Sequence, residues 1–175
     1  MSWSERPPLP LSRRGLLLGL LALGGCGFRP MYGEGSPARA LQGRIAVGDV
    51  TRGETPDRMT YAYRDHLRRR LGAPEGAPRY RLDSRIRVTS TGLAIAEDNA
   101  TTRYNLTGVA TFTLTVPGTA EPVFSGTVDS YSAYSATGSV YATRIAQRDA
   151  ERRIAEDLAE RVITRIAAQA DALPT

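Results

Sequence analysis

The chain has 175 residues and a formal net charge of +5, with 23 basic residues, all of them arginine, against 18 acids. The absence of lysine excludes a Schiff-base lysine, a Ser–Lys dyad and the lysine of a phosphate-binding loop. A single histidine and a single cysteine leave no zinc site and no intramolecular disulfide, and there is no Gly-x-Ser-x-Gly elbow. The reading is of a non-enzyme that needs no cofactor and no metal.

Residues 1–25 have the anatomy of a cleaved signal peptide. Arg13-Arg14 leads into an apolar run from Leu16 to Leu23, and Gly24-Gly25 supplies small residues before Cys26. The run is too short to cross a bilayer as a helix, which takes about 20 residues. Leu23-Gly24-Gly25-Cys26 reads as a bacterial lipobox, in which the Cys26 thiol receives a diacylglyceryl group and becomes the acylated first residue. Thioether-linked diacylglyceryl with an N-acyl chain such as palmitate makes a firm membrane anchor, because each buried methylene contributes ~0.8 kcal/mol. Ser12-Arg13-Arg14 also has the look of a twin-arginine signal, so the export route stays open between the two systems. The leader's three arginines (Arg6, Arg13, Arg14) against Glu5 account for two of the five net charges, leaving three on residues 26–175. A basic pI of about 9.8 invites a nucleic-acid reading. Export, and arginines scattered without aromatic interleaving, argue against that partner.

Residues 26–42 read as lipidated N-terminus and tether: Glu34-Gly35-Ser36-Pro37-Ala38 has no periodicity. Residues 43–175 are one domain by size. A short strand is expected over 43–51, with Ile45 and Val47 on one side. A helix then starts with Thr55 as N-cap and Pro56 at its first position. Its apolar stripe is Met59, Tyr63, Leu67 and Leu71, with Ala62 and His66 beside it, and Gly72 with Pro74 ends it. His66 reads as a side chain at the edge of a helix–sheet contact. Arg79–Val88 alternates strictly: Tyr80, Leu82, Ser84, Ile86 and Val88 on one face, Arg79, Arg81, Asp83, Arg85 and Arg87 on the other. Residues 91–99 read as a turn or a longer excursion. A strand over 101–116 and a hairpin through Pro117-Gly118 to a strand over 122–134 follow, with Phe124 and Val128 inward. The last element is a helix over about 140–170. Its stripe is Ile145, Ala150, Ile154, Leu158, Val162 and Ile166. Asp149–Arg153 and Asp157–Arg161 make four-residue ion pairs on its solvated face. The order β-α-β-β-β-α implies an α+β two-layer sandwich, two helices on a roughly four-stranded mixed or antiparallel sheet.

Two sets of residues carry the chemistry. Arg79, Arg81, Arg85 and Arg87, joined by Arg103 on the facing strand, form a row able to grip phosphates or carboxylates in bidentate fashion, with same-face neighbours ~7 Å apart. The same row also reads as a solvated face whose charge blocks edge aggregation. Asp83, Glu97, Asp98 and Asp129 are carboxylates in the strand region that a glycosidase-type hydrolase could use.

Gly25-Cys26-Gly27-Phe28-Arg29-Pro30-Met31-Tyr32-Gly33 resembles the start of mature LptE-type lipopolysaccharide-assembly lipoproteins of the alphaproteobacterial branch. Ser130–Thr143, a serine- and tyrosine-rich strand running into the last helix, resembles the same family. The resemblance implies an outer-membrane lipoprotein, its domain facing the periplasm or a barrel lumen. Such a protein plugs and helps assemble the LptD β-barrel and takes part in lipopolysaccharide transport. It further implies lipopolysaccharide as a ligand, whose phosphates would suit the arginine row. A pilot or scaffold lipoprotein for another envelope complex, such as a secretin, shares the same anchor and size, and a tethered carboxylate-based hydrolase is the third reading.

Overall fold

The alternation of Arg79–Val88 becomes the central strand of a sheet covered on one side only. In a computed structural model that describes residues 36–53, 55–95, 101–136 and 138–174, all within the unit Met31–Thr175, the order is α1 (Pro37–Leu41), β1 (Ile45–Arg52), α2 (Asp57–Leu71), β2 (Tyr80–Ile95), β3 (Thr101–Thr115), β4 (Pro122–Ser135), α3 (Val140–Ala167) and a 3-10 turn at Ala170–Ala172. The sheet runs β1-β2-β3-β4. β1 pairs with β2 in parallel, and β2–β3 and β3–β4 are antiparallel. This is the α+β sandwich expected from the pattern, with a mixed sheet.

One core fills the space between helices and sheet. The stripe of α2 (Met59, Tyr63, Leu67, Leu71) and that of α3 (Ala150, Ile154, Leu158, Val162, Ile166) are buried against Tyr80, Leu82 and Ile86 of β2 and Leu106, Ala110, Phe112 and Leu114 of β3. Gly108 lets α3 settle onto β3, since a Cβ there would lie 2.9 Å from Leu158 Cδ1 and 3.1 Å from Ile154 Cδ1. Gly126 lies under the Phe112 ring, its register partner, and Phe124 meets that ring edge-on at 5.7 Å.

Several expectations are corrected. Thr55 is not the N-cap of α2; Pro56 occupies that position without a side-chain cap bond. Thr55 is buried, and its hydroxyl donates to the Ile86 carbonyl (3.3 Å) and accepts from the Val88 N–H (3.1 Å). It does for β2 what β1 no longer does past Arg52. Within the tether stretch, Pro37–Leu41 is helical, capped by the Ser36 hydroxyl, and Leu41 is buried. The stretch read as a turn or excursion from 91 is strand as far as Ile95. Ile145 is 45% exposed, because Arg58 in the first turn of α2 already meets Glu151, so the earlier turns of α3 run past the end of α2. His66 lies at a helix–helix contact, 3.2 Å from Glu160 of α3, which also accepts two bonds from Arg70. Cys26, the leader, Glu97 and Asp98 lie outside the described residues.

Candidate functional site

With both long helices on one side, the other side of the sheet is open, and strand alternation decides what it shows. The cross-strand rows on that face read Arg85–Thr111–Thr127, Arg87–Val109–Asp129 and Thr89–Thr107–Tyr131, with Asp83–Thr113–Ser125 and Thr91–Asn105–Ala133 at the flanks. Hydroxyls dominate it, exposed apolar side chains such as Val109 and Tyr131 stand on it, and the charges gather on β2.

The five arginines of the expected row do not act together. Arg79 precedes the strand, and its guanidinium lies 5.8 Å from the Tyr80 ring centroid. Arg81 is bound by two carboxylates, through Nε to Asp83 (3.1 Å) and through Nη2 to Asp49 of β1 (2.9 Å). The hydrogen bond and charge of Asp83, then the charge of Asp49, hold its pKa above the ordinary arginine value. Asp83 also accepts the Asp49 N–H at 2.7 Å. This arrangement sits on a β1 register shift between Val47 and Val50 and needs Gly48, where a Cβ would fall 2.2 Å from Asp83 Oδ1. Arg85 and Arg87 are exposed, adjacent on the face, and without an ion pair among the described residues. Arg103 is exposed too, but the antiparallel register places Val109, not Arg103, opposite Arg87. Six rises of ~3.4 Å separate those two β3 positions, about 20 Å. What the structure brings together is an Arg85–Arg87 pair, with Arg103 apart at the far end of the sheet.

Beside Arg85 lies a shallow depression of about 280 Å³ lined by Asp49, Thr51, Asp83, Arg85, Thr111 and Thr113. An anion held there would find one uncommitted guanidinium and several hydroxyl donors, with Arg81 offsetting one of the two carboxylate charges of Asp49 and Asp83. Of the expected strand-region carboxylates that are described, Asp83 is tied to Arg81 and Asp129 stands on β4, two strands away. No cluster of His, Cys, Asp and Glu suited to a metal ion occurs among the described residues, and no described helix is long and apolar enough to cross a membrane. The partnership of Asp49 with Arg81 could not be found from the sequence, since it depends on which strand lies beside β2.

The architecture defines a class: a two-layer protein whose helices close one side of a sheet and leave the other, hydroxyl-rich and carrying the β2 arginines, open. The particular family follows from the sequence profile of LptE: Lipopolysaccharide-assembly, which matches residues 43–166, from the start of β1 nearly to the end of α3. The chain belongs to that family. No curated protein matches it. Among solved structures it is similar to a protein from Caulobacter crescentus designated a lipoprotein, at 22% identity over 79% of this chain and 98% of the other, with a TM-score of 0.58. It is also similar to the rare lipoprotein B from Shewanella oneidensis, at 13% identity over 71% of this chain and 96% of that one, with a TM-score of 0.51. At these identities the likeness is one of fold.

Proposed function

We propose that this chain is an outer-membrane lipoprotein, acylated at Cys26, that seats in an LptD-type β-barrel and serves lipopolysaccharide transport to the cell surface. The open sheet face is its working surface. The observation that carries this reading is the exposed Arg85–Arg87 pair, without an ion pair among the described residues, on a face rich in hydroxyls, in a chain of the lipopolysaccharide-assembly family. Threonine and serine suit the polar interior of a barrel, and paired guanidiniums suit the phosphates of an anionic glycolipid. Arg103 serves as a separate contact at the far end of the same face.

Two experiments test it. The C-terminally tagged full chain is recovered from outer membranes in mild detergent and its partners are identified by mass. A large β-barrel at one-to-one stoichiometry is expected, whereas a secretin would move the chain to the pilot class. Lipopolysaccharide binding is then compared between the parent and the Arg85→Gln/Arg87→Gln variant. The variant should bind at least ten-fold more weakly with a flatter salt dependence, while Arg152→Gln, which removes an exposed guanidinium of α3, should change binding little. Unaltered binding in the double variant overturns the arginine assignment.

A further inference from the structure

Along β2 the backbone groups of successive residues point alternately to its two sides. Ile86 and Val88 point away from β3, since the Ile86 carbonyl accepts the Gly53 N–H (3.3 Å) and the Val88 N–H donates to the Thr55 hydroxyl. The pairing of β1 ends with Arg52 opposite Ile86, and Thr55 supplies the last bond. β2 nevertheless runs on to Ile95, held by β3 alone. The same alternation carries the N–H and C=O groups of Ser90 and Gly92 to the vacated edge, where no described residue bonds them. Thr89 through Leu93 are all exposed. Free edges of this kind are ordinarily guarded by a charge or a proline, and Thr89-Ser90-Thr91-Gly92-Leu93 has neither. The register shift of the strand falls only beyond Gly92.

We infer that this edge receives an extended segment of the barrel partner as a fifth strand, an inference that rests on the barrel reading above. The ligand class follows from the chemistry offered. A ladder of alternating donors and acceptors at strand spacing is matched by a polypeptide and not by a glycolipid. The strands of a closed barrel have no free edge of their own, so the segment is a loop or luminal stretch outside the barrel wall. Charge specifies it further. Arg87 stands on the open face immediately before the free edge, exposed and without an ion pair among the described residues, while the acid of its cross-strand row, Asp129, is two strands away. A segment without basic residues fits this edge beside the cationic Arg87, and a basic one does not.

The test is hydrogen exchange on the full-length lipoprotein, alone and co-purified with the outer-membrane barrel protein of the same cells. In the isolated chain the amides of Ser90 and Gly92 should exchange far faster than those of Thr89 and Thr91, which bond to β3. In the complex they should slow by at least ten-fold. Gly92→Pro removes an outward N–H and no bond to β3. It should cut recovery of the barrel at least ten-fold while the circular dichroism spectrum and thermal midpoint stay those of the parent. A barrel recovered with Ser90 and Gly92 still exchanging freely overturns the edge inference and leaves the barrel reading standing. Failure to recover any barrel overturns both. Concentration-dependent protection in the isolated chain would assign the edge to a second copy and overturn the inference as stated.

Discussion

Glu151 of α3 is buried to 4% exposure and receives both the Nε (2.5 Å) and Nη2 (2.8 Å) donors of Arg58 from the first turn of α2, with Gln147 donating a third bond at 2.9 Å. The fork joins the first turn of α2 to α3. A buried carboxylate is tolerated only while its partner stays. Arg58→Ala should therefore cost about 3 kcal/mol in urea unfolding, whereas replacing both residues with apolar ones of similar volume (Arg58→Leu with Glu151→Met) should come within about 1 kcal/mol of the parent. A single-variant cost below about 1 kcal/mol would mean that water reaches the carboxylate.

Gly108 predicts a packing conflict with a rescue. Adding one methyl group there meets Leu158 and Ile154, both buried to 1% exposure or less. Overpacking of this size costs about 1–3 kcal/mol, and the propensity gain of replacing a strand glycine offsets only part of it. Gly108→Ala should lower the denaturation midpoint, and Gly108→Ala with Leu158→Val should recover part of the loss. Additive effects of the two changes would sink the explanation.

Asp157 ties acid stability to the β4–α3 contact. Burial alone would raise its pKa, but the Ser130 hydroxyl at 2.6 Å and the Arg161 guanidinium outweigh that and hold it below the ordinary 3.8. A depressed folded pKa contributes stability that is present above the ordinary value and is lost as pH falls through the lowered one. Asp157→Asn should flatten the fall in thermal midpoint below about pH 4. At neutral pH its cost stays under about 1 kcal/mol, because the side chain is nearly half exposed. An acid limb identical to that of the parent would exclude this carboxyl as its source.

Tyr63 contributes to alkaline stability. Burial pushes its phenol up to about 12, against a smaller opposite pull from its hydrogen bond to Ser84 at 3.2 Å. The unfolded chain ionises first, near 10.0, so the contribution of this group is whole below that pH and is lost as pH rises through about 12. Tyr63→Phe should be less stable at neutral pH by about 1 kcal/mol, since Ser84 loses its partner, yet decline less steeply above about pH 10. Unfolding curves of the two proteins across that range decide it.

Periodicity made the two long helices and the central strand legible. Met59, Tyr63, Leu67 and Leu71 are all buried as their four-residue spacing requires, and Leu82, Ser84 and Ile86 face the core while Arg85 and Arg87 face out. The local ion pairs Asp149–Arg153 and Asp157–Arg161 are present as well. What failed depended on neighbours distant in the chain. Thr55 has every local attribute of an N-cap, but an unpaired stretch of β2 lies within reach of its hydroxyl. Ile145 keeps the helical stripe where α2 no longer continues. Arg103 and Arg87 belong to facing strands, yet only the register of the hairpin reveals that they stand far apart. For the candidate site, alternation disclosed the face, and pairing decided which arginines on it are uncommitted.

The parallel pairing of β1 with β2 has a consequence for how the chain acquires its structure. β2, β3 and β4 follow one another as a meander, each pairing with the next across a short connection, so their contacts close small loops. β1 cannot pair until α2 has been laid down and the chain has returned, and its reward arrives after a larger entropic outlay. The first strand in the sequence should thus be the last to be recruited. Conservative truncations such as Ile45→Val should speed unfolding and leave refolding almost untouched, whereas Leu114→Ala in the meander should slow refolding. The N-terminal strand is a clasp fastened onto a sheet that already exists, and loosening it would expose the full length of β2 as an edge.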